Sequence, residues 1–317
     1  MAERIRALAK LEYQKTRCNR RAELFDRTRD VQDSEVTAET VEYALASLEN
    51  KTQESLTLLK KAFILDSDHI KNFLRHKSAL HFVVGCLISS DPYDQLVAME
   101  CCCNASLGDA KSCSLVASAG GVYMIQIVHG TNLNLINVAL ATLGNLAVSG
   151  ANTCRLLHEQ GLDSALMAAL KVDDTREAAA KALCQYYHVY LKNLSDEEVL
   201  SSLECCLPHF LDSDLVQWLV GQMSARECVR SRLSSSELIP SALDRLNCTE
   251  KITSANLKSF TALIRTLGNM ADYFPRDAIL NDSLEKVISN CSYPFLSKEY
   301  RWFSSRISDS PLEVMES

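Results

Sequence analysis

The sequence predicts an all-α chain, a right-handed superhelical solenoid of stacked helical repeats. Three observations lead there. Gly and Pro are scarce, 10 and 6 in 317 residues, fewer turn residues than an all-β or α/β chain of this length would use. The tetrapeptide Thr-Leu-Gly-Asn occurs twice, ending at Asn145 and at Asn269. Amide residues also recur in apolar, helix-patterned runs between and before those copies. Asn104, Asn145, Gln185, Gln222 and Asn269 are spaced by 41, 40, 37 and 47 residues, the period of helical solenoid repeats. Each unit has apolar faces that it cannot bury alone, so the units must stack.

The elements follow in order. Residues 1–36 read as a basic arm. Repeats begin near Thr37. In "DSDH", Asp66 or Ser67 reads as the N-cap of a helix rather than a ligand cluster. "ECCCN" carries Asn104 on a helix. The stretch "ASLGDAKSCSLVASAGGVYMIQIV" is expected to hold two helices with Gly120 and Gly121 at the corner, and "NLNLINVALATLGNLA" a third, longest helix bearing Asn145. Gly161 is placed as a C-cap, with a helix over Leu162–Leu170. "KALCQ", "WLVGQ" and "RTLGN" carry the next three amides. Residues 292–307 are expected to form a terminal helix that caps the stack with Phe295, Tyr300, Trp302 and Phe303, and 308–317 a flexible tail.

Composition narrows the function classes. There is no run of about 18 uncharged apolar residues, so no membrane span is expected, and the start "MAERIRALAK" lacks the apolar core of a signal peptide. Of the 13 cysteines, the runs at Cys101 to Cys103 and at Cys205 and Cys206 lie inside apolar stretches that read as helices. Neighbours such as Cys101 to Cys103, or Cys205 and Cys206, point about 100° apart and cannot all face one metal. They read as small buried thiols in a reducing compartment, hence cytoplasm or nucleus. No phosphate-loop, dinucleotide, zincin or nucleophile-elbow motif occurs, so neither an enzyme nor a cofactor or metal is expected. His188 reads as packed or groove-facing.

At the amide positions the sequence resembles the armadillo-repeat family, and within it the importin-α type, whose third helices carry Trp-x-x-x-Asn. Here "ATLGNLA" offers Ala141 and Asn145, "ECCCN" Glu100 and Asn104, "KALCQ" Lys181 and Gln185, "WLVGQ" Trp218 and Gln222, and "RTLGN" Arg265 and Asn269. The resemblance implies an armadillo domain of about six units over 37–307. It also implies a groove in which Asn104, Asn145, Gln185, Trp218, Gln222 and Asn269 clamp the backbone of an extended protein client. The alternative is that the amides bond only to the repeat junctions and stabilise the stack. With one Trp in five positions, weak binding of a standard basic localisation peptide is expected.

Residues 1–30 hold nine Lys or Arg against five acids, net +4 in a chain of net −7. The resemblance implies that this arm, through Arg17, Arg20, Arg21, Arg27 and Arg29, contacts an importin-β-type carrier. Glu23 and Asp26 interrupt the basic pattern. The acidic remainder suits a basic client, steered in by long-range attraction. The arm has too few interleaved aromatics to stack bases, so no direct nucleic-acid partner is expected. The functional expectation is a non-enzymatic adaptor for nuclear import, cytoplasmic and nuclear. An armadillo scaffold, or a dedicated chaperone for a basic client, stands as the alternative.

Overall fold

The computed structural model describes residues 36–249, 251–273, 287–289 and 293–309. The arm up to residue 35, with Arg17, Arg20, Arg21, Arg27 and Arg29, lies outside the described residues, as does the tail beyond 309. All regular structure among the described residues is helical, with no strand. The chain divides into two compact units, Met1–Ala169 and Leu170–Ser317.

The first unit opens with α1 (Ala38–Ala46), α2 (Thr52–Leu65), α3 (Ser67–Arg75), α4 (Lys77–Cys86) and α5 (Pro92–Ala105). Side chains start several of these. Thr37 accepts from the Thr40 amide while its own amide donates to Thr40 Oγ1, a reciprocal cap that satisfies two otherwise orphan donors. Asp66 caps α3 by accepting from Asp68 N at 2.9 Å, as its place in "DSDH" predicted. Asp91 caps α5, and Pro92 takes the first helical position, where no N–H is needed. After these come α6 (Ala110–Val128), α7 (Leu133–Ala147), α8 (Ala151–Glu159) and α9 (Leu162–Leu170). Gly161 turns the chain between α8 and α9 at φ +93°, a left-handed conformation that glycine adopts without steric cost.

One expected corner is absent. Residues 110–128 form a single helix that runs straight through Gly120 and Gly121. These glycines serve close packing. A Cβ on Gly120 would stand 3.2 Å from Val84 Cγ2 of α4, and one on Gly121 would stand 3.0 Å from Leu157 Cδ2 of α8. With two helices merged into one, α6 has 19 residues and α7 has 15, so the amide-bearing helix is not the longest of its repeat.

The second unit holds α10 (Asp173–Tyr190), α11 (Asp196–Cys206), α12 (Asp214–Met223), α13 (Glu227–Ser234), α14 (Leu238–Asn247), α15 (Leu257–Asn269) and α16 (Pro294–Asp309). Ser195 and Glu198 cap α11 reciprocally. Leu296, Phe303 and Ile307 bury one stripe of α16. Trp302 stays 37 % exposed instead of closing the stack, and the Phe295 side chain lies outside the described residues.

The amide-bearing helices and their flanking helices α2 and α16 pack in succession: α2 on α5 and α5 on α7 in the first unit, then α10 on α12, α12 on α15 and α15 on α16 in the second. Buried Leu56, Leu59 and Phe63 of α2 illustrate the driving force, about 1.5–3 kcal/mol for each large apolar side chain removed from water.

Candidate functional site, the third-helix face

The amides sit where the spacing put them, one per successive packed helix within each unit, and most of their donors are used inside the stack. In the first unit, Asn104 Nδ2 on α5 donates to the Lys60 carbonyl of α2 at 2.9 Å. Asn145 Nδ2 on α7 donates weakly to Cys103 Sγ of α5 at 4.0 Å. Both residues are about 95 % buried, with exposures of 6 % and 5 %. In the second unit, Gln222 Nε2 on α12 donates to the Cys184 carbonyl of α10 at 3.3 Å. Asn269 Nδ2 on α15 donates to Ser224 Oγ at 2.9 Å and to the Gly221 carbonyl at 3.4 Å. Each bond thus reaches from an amide-bearing helix back to the helix packed before it or to that helix's C-terminal turn. Gln185 on α10 is half-buried, and no such bond is among its described contacts.

The glycine before an amide has a reason in the same contacts. A Cβ on Gly221 would lie 3.3 Å from the Ala262 carbonyl of α15. One on Gly268 would lie 2.6 Å and 2.9 Å from Cζ3 and Cη2 of Trp302 on α16. The absent side chain lets the next helix, or its indole, come down onto the backbone.

Four residues before each amide stands a second column, and it is largely charged. In the first unit Lys60 Nζ pairs with Glu100 Oε2 at 2.7 Å. In the second unit, Arg265 places its guanidinium carbon 4.9 Å from the centroid of the Trp218 ring. The same Arg265 donates through Nε and Nη2 to the two carboxylate oxygens of Glu299, at 2.9 Å and 2.7 Å. A cation over an indole face and a bidentate carboxylate clamp are both attractive arrangements for arginine. Lys181 and His188 are exposed on α10, on either side of Gln185. The sequence reading found Trp218 and Arg265 but missed Lys60 and Glu299. Lys60 lies 40 residues before Glu100 and Glu299 lies 34 after Arg265, so the repeat period was the signal for both, but neither has an amide four residues on.

Among the described residues no group of His, Cys, Asp and Glu could hold a metal ion, and no helix is long and apolar enough to cross a membrane. The described cysteines are free thiols, most of them buried. Burial pushes the Cys102, Cys154 and Cys184 thiols up to about 12.

No known protein-family model matches the chain. Solved structures do. An engineered protein superposes with a TM-score of 0.69 at 15 % identity, over 85 % of this chain and 68 % of its own. A designed armadillo repeat protein superposes with a TM-score of 0.60 at 15 % identity, over 73 % of this chain and 98 % of its own. The chain has the armadillo-repeat fold. A further designed armadillo repeat protein, solved in complex with the peptide (KR)4, has a TM-score of 0.50 at 13 % identity, over 84 % of this chain and 98 % of its own. Such low identities speak to architecture alone.

Proposed function

We propose that this armadillo chain is a non-enzymatic protein-binding adaptor whose contact face is formed by the amide-bearing helices. The observation that carries the reading is the set Gln185, Trp218 and Gln222, half-buried on the successively packed helices α10 and α12, an aromatic and two amides at the pitch of the repeat. The peptide complex of a designed armadillo protein supports a peptide as occupant of such a face. The importin-α-like form of this function adds a carrier of the importin-β type held by Arg17, Arg20, Arg21, Arg27 and Arg29, and delivery between cytoplasm and nucleus.

A scaffold without a carrier is the second reading. It is favoured by the donors of Asn104, Gln222 and Asn269, which are spent on neighbouring helices and not left for a client.

Retention of a purified importin-β-type carrier separates the two. The native chain and a chain lacking residues 1–32 are each immobilised and challenged with it. Retention by the native chain alone supports the import form, and retention by neither supports the scaffold. A Gln185→Ala, Trp218→Ala double variant that keeps its fold and captures the same proteins as the native chain would remove the amide-bearing helices as the contact face.

A further inference from the structure

We propose that the stripe formed by α15 and α16 in the second unit binds an extended acidic segment of a protein partner. The inference rests on the adaptor reading and gives this part of the face its ligand chemistry, opposite in sign to the basic client that net charge suggests.

The local charge points this way. Helix α15 carries Lys258 and Arg265 and no acid. Lys258, Arg265 and Asn269 fall seven and four residues apart, along one side of that helix. On α16, Lys298, Arg301 and Trp302 form an exposed stripe. Lys258, Lys298 and Arg301 make no ion pair among the described residues. Glu299, the acid at the centre of the stripe, is already clamped by Arg265 and is largely covered, its side chain 14 % exposed. This cationic strip stands on a chain of net −7, so it is a departure from the surrounding surface and not a share of a basic background.

The chain's two tryptophans bracket the same strip. Trp218 lies against Arg265 and Trp302 lies over Gly268, one turn further along α15. The Arg265–Glu299 pair shows the recognition mode in miniature: a carboxylate received by a guanidinium fork that is backed by an indole face. A partner's carboxylates would meet the ammonium groups of Lys258 and Lys298 as point charges and the guanidinium of Arg301 as a fork, and its apolar side chains would cover Trp302. Packed helices lie about 8–10 Å apart, which an extended chain spans in about three residues. Acids three apart would therefore reach both cationic rows.

Of the chain's two tryptophans, Trp302 lies on this strip and Trp218 also belongs to the face of α10 and α12, so the part of the emission change that depends on Trp302 reports the strip. The probes are two labelled octapeptides, one of alternating Glu and Asp and one of alternating Lys and Arg, titrated into the full chain. The acidic probe should change the tryptophan emission and give saturable anisotropy, and its affinity should fall as salt rises, as expected for exposed charges. A Lys258→Glu, Lys298→Glu, Arg301→Glu variant, whose substitutions are all at exposed positions, should bind it at least tenfold more weakly with an unchanged far-ultraviolet spectrum. Trp302→Phe should keep most of the anisotropy signal and lose most of the emission change. Tighter binding of the basic probe, binding of neither, or equal acidic binding by the charge-reversed variant overturns the inference. If that happens while client capture persists, the adaptor reading stands. Loss of both would remove the two together.

Discussion

At the scale of single residues, Gly268 and Trp302 act as one fitted pair. A methyl group at 268 would occupy space already held by the indole, at 2.6 Å and 2.9 Å, so Gly268→Ala should drive Trp302 off α15. Overpacking of this kind costs roughly 1–3 kcal/mol, and alanine returns about 1 kcal/mol in helix propensity. A net loss of up to about 2 kcal/mol in urea unfolding is expected, together with a red-shifted tryptophan emission. Unchanged emission would mean that the ring does not rest on this glycine. The sequence showed Gly268 as part of a repeated tetrapeptide. It could not show Trp302 as the partner, because the two are 34 positions apart and their fit depends on how closely α16 approaches α15.

At the scale of elements, the amides separate into two groups by their bonds. Asn269 ties α15 to the end of α12 through Ser224 and Gly221, so Asn269→Ala should lower stability by about 0.5–1.5 kcal/mol, the usual net value of such a bond. Gln185 has no comparable tie, so Gln185→Ala should leave the melting temperature within about 1 °C while weakening client capture. Equal melting shifts in the two variants would sink the distinction. Much of this level was readable in advance. The 40-residue period, the cap at Asp66 and the turn at Gly161 all rest on local chemistry. The merging of two helices into α6 was not readable. A glycine pair has the same composition whether it bends the chain or admits a neighbour, and only Val84 and Leu157 decide between the two. The direction of the amide donors was equally hidden, since a side-chain NH2 group can serve a client or the adjacent helix from the same position.

At the scale of the whole molecule, the buried thiols make stability depend on alkaline pH. Cys102, Cys154 and Cys184 have thiols pushed from the ordinary 9.0 up to about 12 by burial, and Cys101 and Cys206 are raised well above their usual value for the same reason. The folded state keeps these protons where the unfolded chain has released them. Their contribution is therefore complete below about pH 9 and is lost as pH rises toward 12. Urea midpoints of the reduced protein should fall steeply between about pH 9 and about pH 11, and Cys154→Ala should make the decline shallower by one thiol's share. An identical slope in that variant would assign the decline to other groups.

Gly120 and Gly121 also set what the middle of α6 can hold. Adjacent positions on a helix face different neighbours, and here one meets α4 while the other meets α8. A methyl at 120 would meet Met124 Cε and Val84 Cγ2, and one at 121 would meet Gln160 Oε1 and Leu157 Cδ2, so at either place a neighbour must shift, while Leu115, Val122 and Tyr123 of the same helix face solvent. The residue type that elsewhere signals a backbone with latitude marks, in the middle of α6, two positions at which any larger side chain needs a neighbour to make room.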